Sequence, residues 1–125
     1  MGKYVVVGVD DDFRVRESFV RLAESAGYAP LVFQSAEVFL ESGALREAAC
    51  LISDVRMPGM DGLELQRRVR AGYPGLPVIL ISAHFDDRIR RRALDEGAVD
   101  FLYKPFDGEE LLCSINRAIE NTPRS

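Results

Sequence analysis

Five short apolar runs, each followed by a polar break and then by a stretch with helical spacing, set the rhythm of this chain. Tyr4 to Val9 is nearly continuous valine, the pattern of a strand buried on both faces. It stops at Asp10-Asp11-Asp12. From about Phe13 to Ala26, Val15, Phe19, Leu22, Ala23 and Ala26 recur on one helical face, with Gly27 as the stop. Leu31-Val32-Phe33 predicts a second, weaker strand. Ser35 then reads as an N-cap, and Ala36, Phe39 and Leu40 give the next helix its apolar side.

Leu51 to Ser53 predicts a third strand, ending on Asp54, and Pro58-Gly59 turns the chain soon after. A helix from about Gly62 to Tyr73 follows, closed by Gly72 and Pro74-Gly75. Val78 to Ile81 predicts the fourth strand, ending at Ser82-Ala83-His84, and Asp86 to Glu96 a helix with acids in its first turn and Gly97 as its stop. Val99 to Tyr103 predicts the fifth strand, ending at Lys104-Pro105. Asp107 and Glu110 form a capping-box pattern before Leu111, Leu112, Ile115, Ala118 and Ile119.

Strands alternating with helices imply a parallel sheet covered on both faces. Right-handed crossovers leave few topologies, and the leading one is an α/β, flavodoxin-like (βα)5 fold: a five-stranded doubly wound sheet of order 2-1-3-4-5. Residues 1–120 are expected to form this one domain, with 121–125 a C-terminal tail or the start of a linker.

Composition narrows the picture modestly. An apolar fraction of 47%, a charged fraction of 29% and a net charge of −4 describe an ordinary globular domain and argue against direct nucleic-acid binding through the whole surface. No apolar run has the length of a membrane span, and Met1-Gly2-Lys3 leads straight into a strand, so a cytoplasmic location is expected. Gly2 lacks the hydroxyl residue that a myristoylation motif needs at position 6, where Val6 stands. Cys50 and Cys113, in apolar contexts, are expected to be small core residues. Arg88, Arg90, Arg91 and Arg92 make the fourth helix basic, read here as a solvated face.

In an open α/β sheet the ligand crevice lies at the carboxyl ends of the strands. Strands one, three, four and five end there in Asp10-Asp11, Asp54, Ser82 and Lys104, and strands one and three are neighbours in the expected order. Three carboxylates sharing a partly buried site repel by about 4 kcal/mol per pair at an effective dielectric near 20. A cation must relieve them, and an all-oxygen site suits Mg²⁺. A phosphoryl group on Asp54 would use every member: Asp54 as nucleophile, Asp10, Asp11, Asp54 and the backbone carbonyl of Arg56 around Mg²⁺, and Lys104 and Ser82 on the phosphoryl oxygens.

The chain resembles the receiver domain of two-component response regulators over essentially its whole length. The resemblance rests on Val9-Asp10-Asp11, on Asp54 with Met57-Pro58-Gly59 and Asp61-Gly62, on Ser82-Ala83, and on Lys104-Pro105-Phe106. It implies that Asp54 is the phosphoacceptor, that Asp10 and Asp11 hold the metal, and that a sensor histidine kinase donates phosphate from a phosphohistidine. It further implies a cis peptide before Pro105, and a switch in which the Ser82 hydroxyl turns toward the phosphate and the Phe101 ring rotates into the vacated space. The readout face would be the fourth helix, fifth strand and fifth helix, giving homodimerisation or partner binding on phosphorylation. Gln34-Ser35-Ala36 and Arg56 to Gly62 are closest to receivers that precede DNA-binding output domains. Ser82 and Phe101 stand where threonine and tyrosine are frequent, so no phenol hydroxyl takes part.

Two rival readings use the same residues. In the haloacid-dehalogenase-like phosphatases the nucleophile ends the first strand, which would put the phosphate on Asp10; the chain lacks their second acidic pair and cap, and Asp54 would be idle. An interaction module that never takes phosphate would gain nothing from the clustered acids. His84 and Arg56 flank the site as rim residues, and Gly59 and Gly62 read as turn formers.

Overall fold

The computed structural model describes residues 3–121, and the readings at Gly2 and at 122–125 fall outside them. The elements follow in the order β1 (Val5–Val9), α1 (Phe13–Ser25), β2 (Ala29–Phe33), α2 (Ala36–Ser42), a 3₁₀ turn (Ala44–Arg46), β3 (Ala48–Asp54), α3 (Gly62–Gly72), β4 (Val78–Ser82), α4 (Asp87–Asp95), β5 (Asp100–Tyr103) and α5 (Gly108–Asn121). The strands form one parallel sheet of order β2-β1-β3-β4-β5. This is the doubly wound order expected from the alternation of elements.

Successive residues of a strand face opposite sides of a sheet, and here both sides are apolar. Val7, Val9, Leu51, Leu80 and Phe101 pack with Phe39 of α2, Leu65 and Val69 of α3, and Ala93 of α4. Val6, Cys50, Ile52, Ile79, Ile81 and Leu102 pack with Phe19 and Ala23 of α1 and Leu111, Ile115 and Ala118 of α5. Ser35 caps α2 as the sequence marked, accepting from the Val38 amide, whereas Asp86, expected inside the fourth helix, is its cap and accepts from the Arg88 and Ile89 amides. Asp107 caps α5 through the Glu109 amide, one residue earlier than a capping box would use.

Several boundaries differ from the expected ones. β2 starts at Ala29 and contains Pro30, which the missing N–H permits because β2 is an edge strand. β3 starts at Ala48, opposite Val5, just before a register shift between Val5 and Val6. Val99 lies outside β5, although its amide donates to the Val78 carbonyl at 2.8 Å. Asn121, expected in the tail, ends α5. Cys50 is a buried core residue, but Cys113 is exposed. The apolar stripe of α5 runs through Leu111, Ile115, Ala118 and Ile119, and position 113 falls off it, whatever its neighbours in sequence.

α4 is the least embedded helix. Ala93 is its one buried residue, and the four arginines are solvent-exposed. Its ties to α3 gather at its carboxyl end. Gln66 Nε2 donates to the Ala93 carbonyl at 3.0 Å, Arg67 Nε lies 2.8 Å from Glu96 Oε1, and Arg70 donates to the Glu96 carbonyl.

Candidate functional site

The register fixes what meets at the carboxyl edge. Val9 pairs with Ser53, Asp54 with Ile81, and Ser82 with Tyr103, so Asp10, Asp54, Ser82 and Lys104 all leave the sheet at one level. One carboxylate oxygen from each of Asp10, Asp11 and Asp54 lies within 4.8 Å of the others. Asp10 and Asp54 are buried, whereas Asp11 is exposed at the mouth.

Lys104 reaches into this group. Its Nζ stands 2.8 Å from Asp10 Oδ2 and 3.3 Å from Asp54 Oδ2. The Lys104–Pro105 peptide is cis, and the Lys104 amide donates to the Ser82 carbonyl at 2.8 Å. Asp10 is further fixed by the Asp12 amide, which donates to its Oδ1 at 2.9 Å, and by Arg16 Nη1, which donates to its carbonyl at 2.8 Å. Asp10 therefore has both carboxylate oxygens engaged, and Asp54 has one in contact with the ammonium.

The electrostatics follow from this crowding. Burial pushes the Asp54 carboxyl above its ordinary pKa, the Asp10 charge pushes it the same way, and Lys104 opposes both. For Lys104, burial alone would lower the pKa, but its hydrogen bonds and charge contacts with Asp10 and Asp54 outweigh that and raise it. With all four groups ionised, three carboxylates and one ammonium leave two negative charges. The donors are carboxylate oxygens, with no histidine or cysteine in the group, and this fits a hard divalent cation.

The loop after β3 is folded back over the strand end. The Val55 amide donates to the Ile81 carbonyl at 2.9 Å, and the Gly62 amide to the Val55 carbonyl at 2.8 Å. A Cβ on Gly62 would stand 2.3 Å from the Asp54 carbonyl oxygen, so only glycine lets α3 begin this close to the acid. Arg56 is exposed on this loop, two residues past Asp54.

Ser82 is buried at the site, but its hydroxyl is engaged locally: it donates to the His84 carbonyl at 3.2 Å and accepts from the His84 amide at 3.1 Å. Phe101 is only 5% exposed, so its ring lies in the core below the site. The aromatic surface lies one turn of the strand further on, where the Tyr103 ring meets Phe101 edge-on at 5.4 Å and stacks on Phe85 at 4.2 Å. Phe85 is 83% exposed. Neither Tyr103 nor Phe85 stood out in the sequence; the aromatic at alternate positions of β5 was the available signal.

The strand order and the acidic edge place the molecule among flavodoxin-like α/β domains. Residues 6–116 match the model of the response regulator receiver domain, and the chain belongs to that family of two-component signalling domains. It is 40% identical over 111 residues to the transcriptional regulatory protein FixJ of Bradyrhizobium diazoefficiens, covering 89% of this chain and 54% of that protein. It is 42% identical over 120 residues to the response regulator protein TodT of Pseudomonas putida, covering 96% of this chain and 53% of that protein. The chain thus spans about half the length of these relatives. The crystal structure of the FixJ N-terminal part superposes with a TM-score of 0.87 at 35% identity, covering 100% of both chains. Among the described residues no helix is long and apolar enough to cross a membrane.

Proposed function

We propose that this chain is the phosphoacceptor domain of a cytoplasmic two-component system, with Asp54 taking phosphate from a phosphohistidine of a sensor kinase. The observation that carries the reading is the placement of the Lys104 ammonium between Asp10 and Asp54 beside a third carboxylate. Asp54 uses an oxygen lone pair to form the O–P bond. The N–P bond of the donor breaks, its electron pair staying on the imidazole nitrogen, which then takes a proton from solvent. Asp10, Asp11, Asp54 and the Arg56 carbonyl would hold Mg²⁺, which supplies positive charge to the phosphoryl oxygens. Lys104 meets another of those oxygens and compensates charge as it shifts from the donor to residue 54.

The Ser82 hydroxyl is the switch element. Its present bonds to the His84 backbone are the resting arrangement, and turning to a phosphoryl oxygen exchanges them for a charge-assisted bond worth about 1.5–3 kcal/mol. That is enough to shift a two-state population roughly ten- to a hundredfold. Phe101 would respond from its buried position, and the face of α4, β5 and α5 would carry the result to a homodimer partner or to an output domain. As in NtrC of Escherichia coli, a DNA-binding transcriptional regulator 39% identical over 121 residues, that output is proposed to be DNA-binding.

Treatment with Mg²⁺ and a small phosphodonor, followed by reductive trapping of the acyl phosphate and mass mapping, tests the chemistry. Label on residue 54 is expected; label on residue 10 would point to a phosphatase-like site, and absence of label to a pure interaction module. For the switch, Ser82→Ala is expected to keep the label but lose phosphate-dependent dimerisation in sedimentation. Dimerisation unchanged from wild type would remove Ser82 from the mechanism.

A further inference from the structure

We propose that Glu37, on α2, is a positioning residue for the cation, holding the loop that presents the Arg56 carbonyl. The proposal rests on the Mg²⁺ reading of the site. Glu37 Oε2 accepts a hydrogen bond from the Met60 amide at 2.9 Å, across 23 residues of sequence. The same carboxylate lies against the Gly59 backbone: a Cβ there would stand 2.5 Å from Glu37 Oε2, and Gly59 adopts φ +77°. The loop is therefore shaped to receive this side chain, with a glycine in the left-handed region where the carboxylate makes its approach.

The first half of the loop is anchored by Met57, which is buried in the core, while Pro58 and Gly59 are exposed. The Val55 and Gly62 amides tie it to β4 and to itself, and Asp61 caps α3 through the Glu64 amide at 2.9 Å. Among the described residues, Glu37 is the side chain from another element whose hydrogen bond reaches the loop between Arg56 and Met60. The support itself is firm. α2 is capped by Ser35 and pinned to the core through Ala36 and Phe39, both fully buried. The backbone hydrogen bond from Met60 lowers the Glu37 pKa, and the charge of Arg68 adds to this, so the acceptor stays ionised at neutral pH. Arg56 lies between the core-buried Val55 and Met57, and Glu37 fixes the outer limb of the same loop at Gly59 and Met60, so it acts on the Arg56 carbonyl through the loop without touching the ion.

The test is Mg²⁺ titration by calorimetry on the full chain, comparing wild type with Glu37→Ala and Glu37→Gln. Loss of a partner bonded directly to a metal ligand typically weakens metal binding 10–100-fold; Glu37 acts through Met60, four residues from Arg56, and about threefold is expected for Glu37→Ala. Glu37→Gln keeps an oxygen that accepts from Met60 and should recover most of the affinity. Faster hydrogen exchange of the Met60 amide in Glu37→Ala, measured without metal, is the companion readout. Wild-type affinity in Glu37→Ala, or a glutamine variant as weak as the alanine one, overturns the proposal while leaving the site intact. A wild-type chain that binds no Mg²⁺ overturns both.

Discussion

Asp54→Asn is expected to gain no acyl phosphate and yet to melt at a higher temperature than the wild type when divalent cations are absent. The first result follows from removing the proposed phosphoacceptor. The second follows from the raised pKa of Asp54, whose first cause is burial, reinforced by Asp10 and opposed by Lys104. A group whose folded-state pKa lies above its unfolded value favours folding while protonated. That contribution is fully present below the unfolded pKa and is lost as pH rises through the folded one. At neutral pH the ionised carboxylate is thus a standing cost, which asparagine removes at nearly constant volume. The variant gives up the contact with Lys104 at 3.3 Å, but the ammonium keeps its closer partner Asp10 at 2.8 Å, so relief of repulsion wins.

A gain of about 1 kcal/mol would raise the melting temperature by about 3–6 °C in a domain of this size. With Mg²⁺ at a hundred times its Kd the order should reverse, because the wild type then gains about 2.7 kcal/mol and the variant, short of one ligand, gains less. Calorimetric melting with and without Mg²⁺ decides it. A variant that melts below the wild type without metal would show that the carboxylate is not strained there.

Lys104→Met should act in the opposite sense on stability. It leaves Asp10 and Asp54 buried without their cation. Breaking a fully buried ion pair costs about 3–5 kcal/mol, but Lys104 keeps 19% of its side chain exposed and water reaches the site, so about 2 kcal/mol is the expected loss without metal. Mg²⁺ binding should become severalfold tighter, because the ammonium is a like charge a few ångströms from where the ion must sit. Phosphorylation should nevertheless slow by about a hundredfold or more, since the group that meets the transferred oxygens is gone. Tight metal binding joined to slow labelling separates loss of this contact from general damage. A variant labelled at the wild-type rate would exclude Lys104 from the chemistry. In the Asp54→Asn background the stability cost of Lys104→Met should shrink, as the two residues are in contact.

Much of this site could be read from the chain because a parallel sheet converts sequence into place. Once five βα units are recognised, the residue after each apolar run must emerge at the same edge, and Asp10, Asp54, Ser82 and Lys104 are such residues. Proximity at that edge then follows from strand order alone. What escaped the sequence depends on side-chain reach or on edge effects. Nothing in a surface glutamate at position 37 signals a bond to an amide 23 residues away. The second strand, expected from Leu31, begins at Ala29 and includes Pro30, which the edge position of β2 tolerates. Cys113 shows the limit of reading by neighbourhood, because it is exposed among apolar neighbours in sequence.

The tethering of α4 at its carboxyl end has a thermodynamic corollary. With Ala93 its one buried residue and its hydrogen bonds to α3 falling on Ala93 and Glu96, the first turns of α4 rest on Ile89, which is only half-buried against the core. Few buried apolar contacts mean a low free energy of local opening, so this half-helix should detach at less cost than the strands beneath it. In the proposed switch, a modest bias at Ser82, a few residues upstream, would then need only to reorient this one helix and would leave the sheet intact.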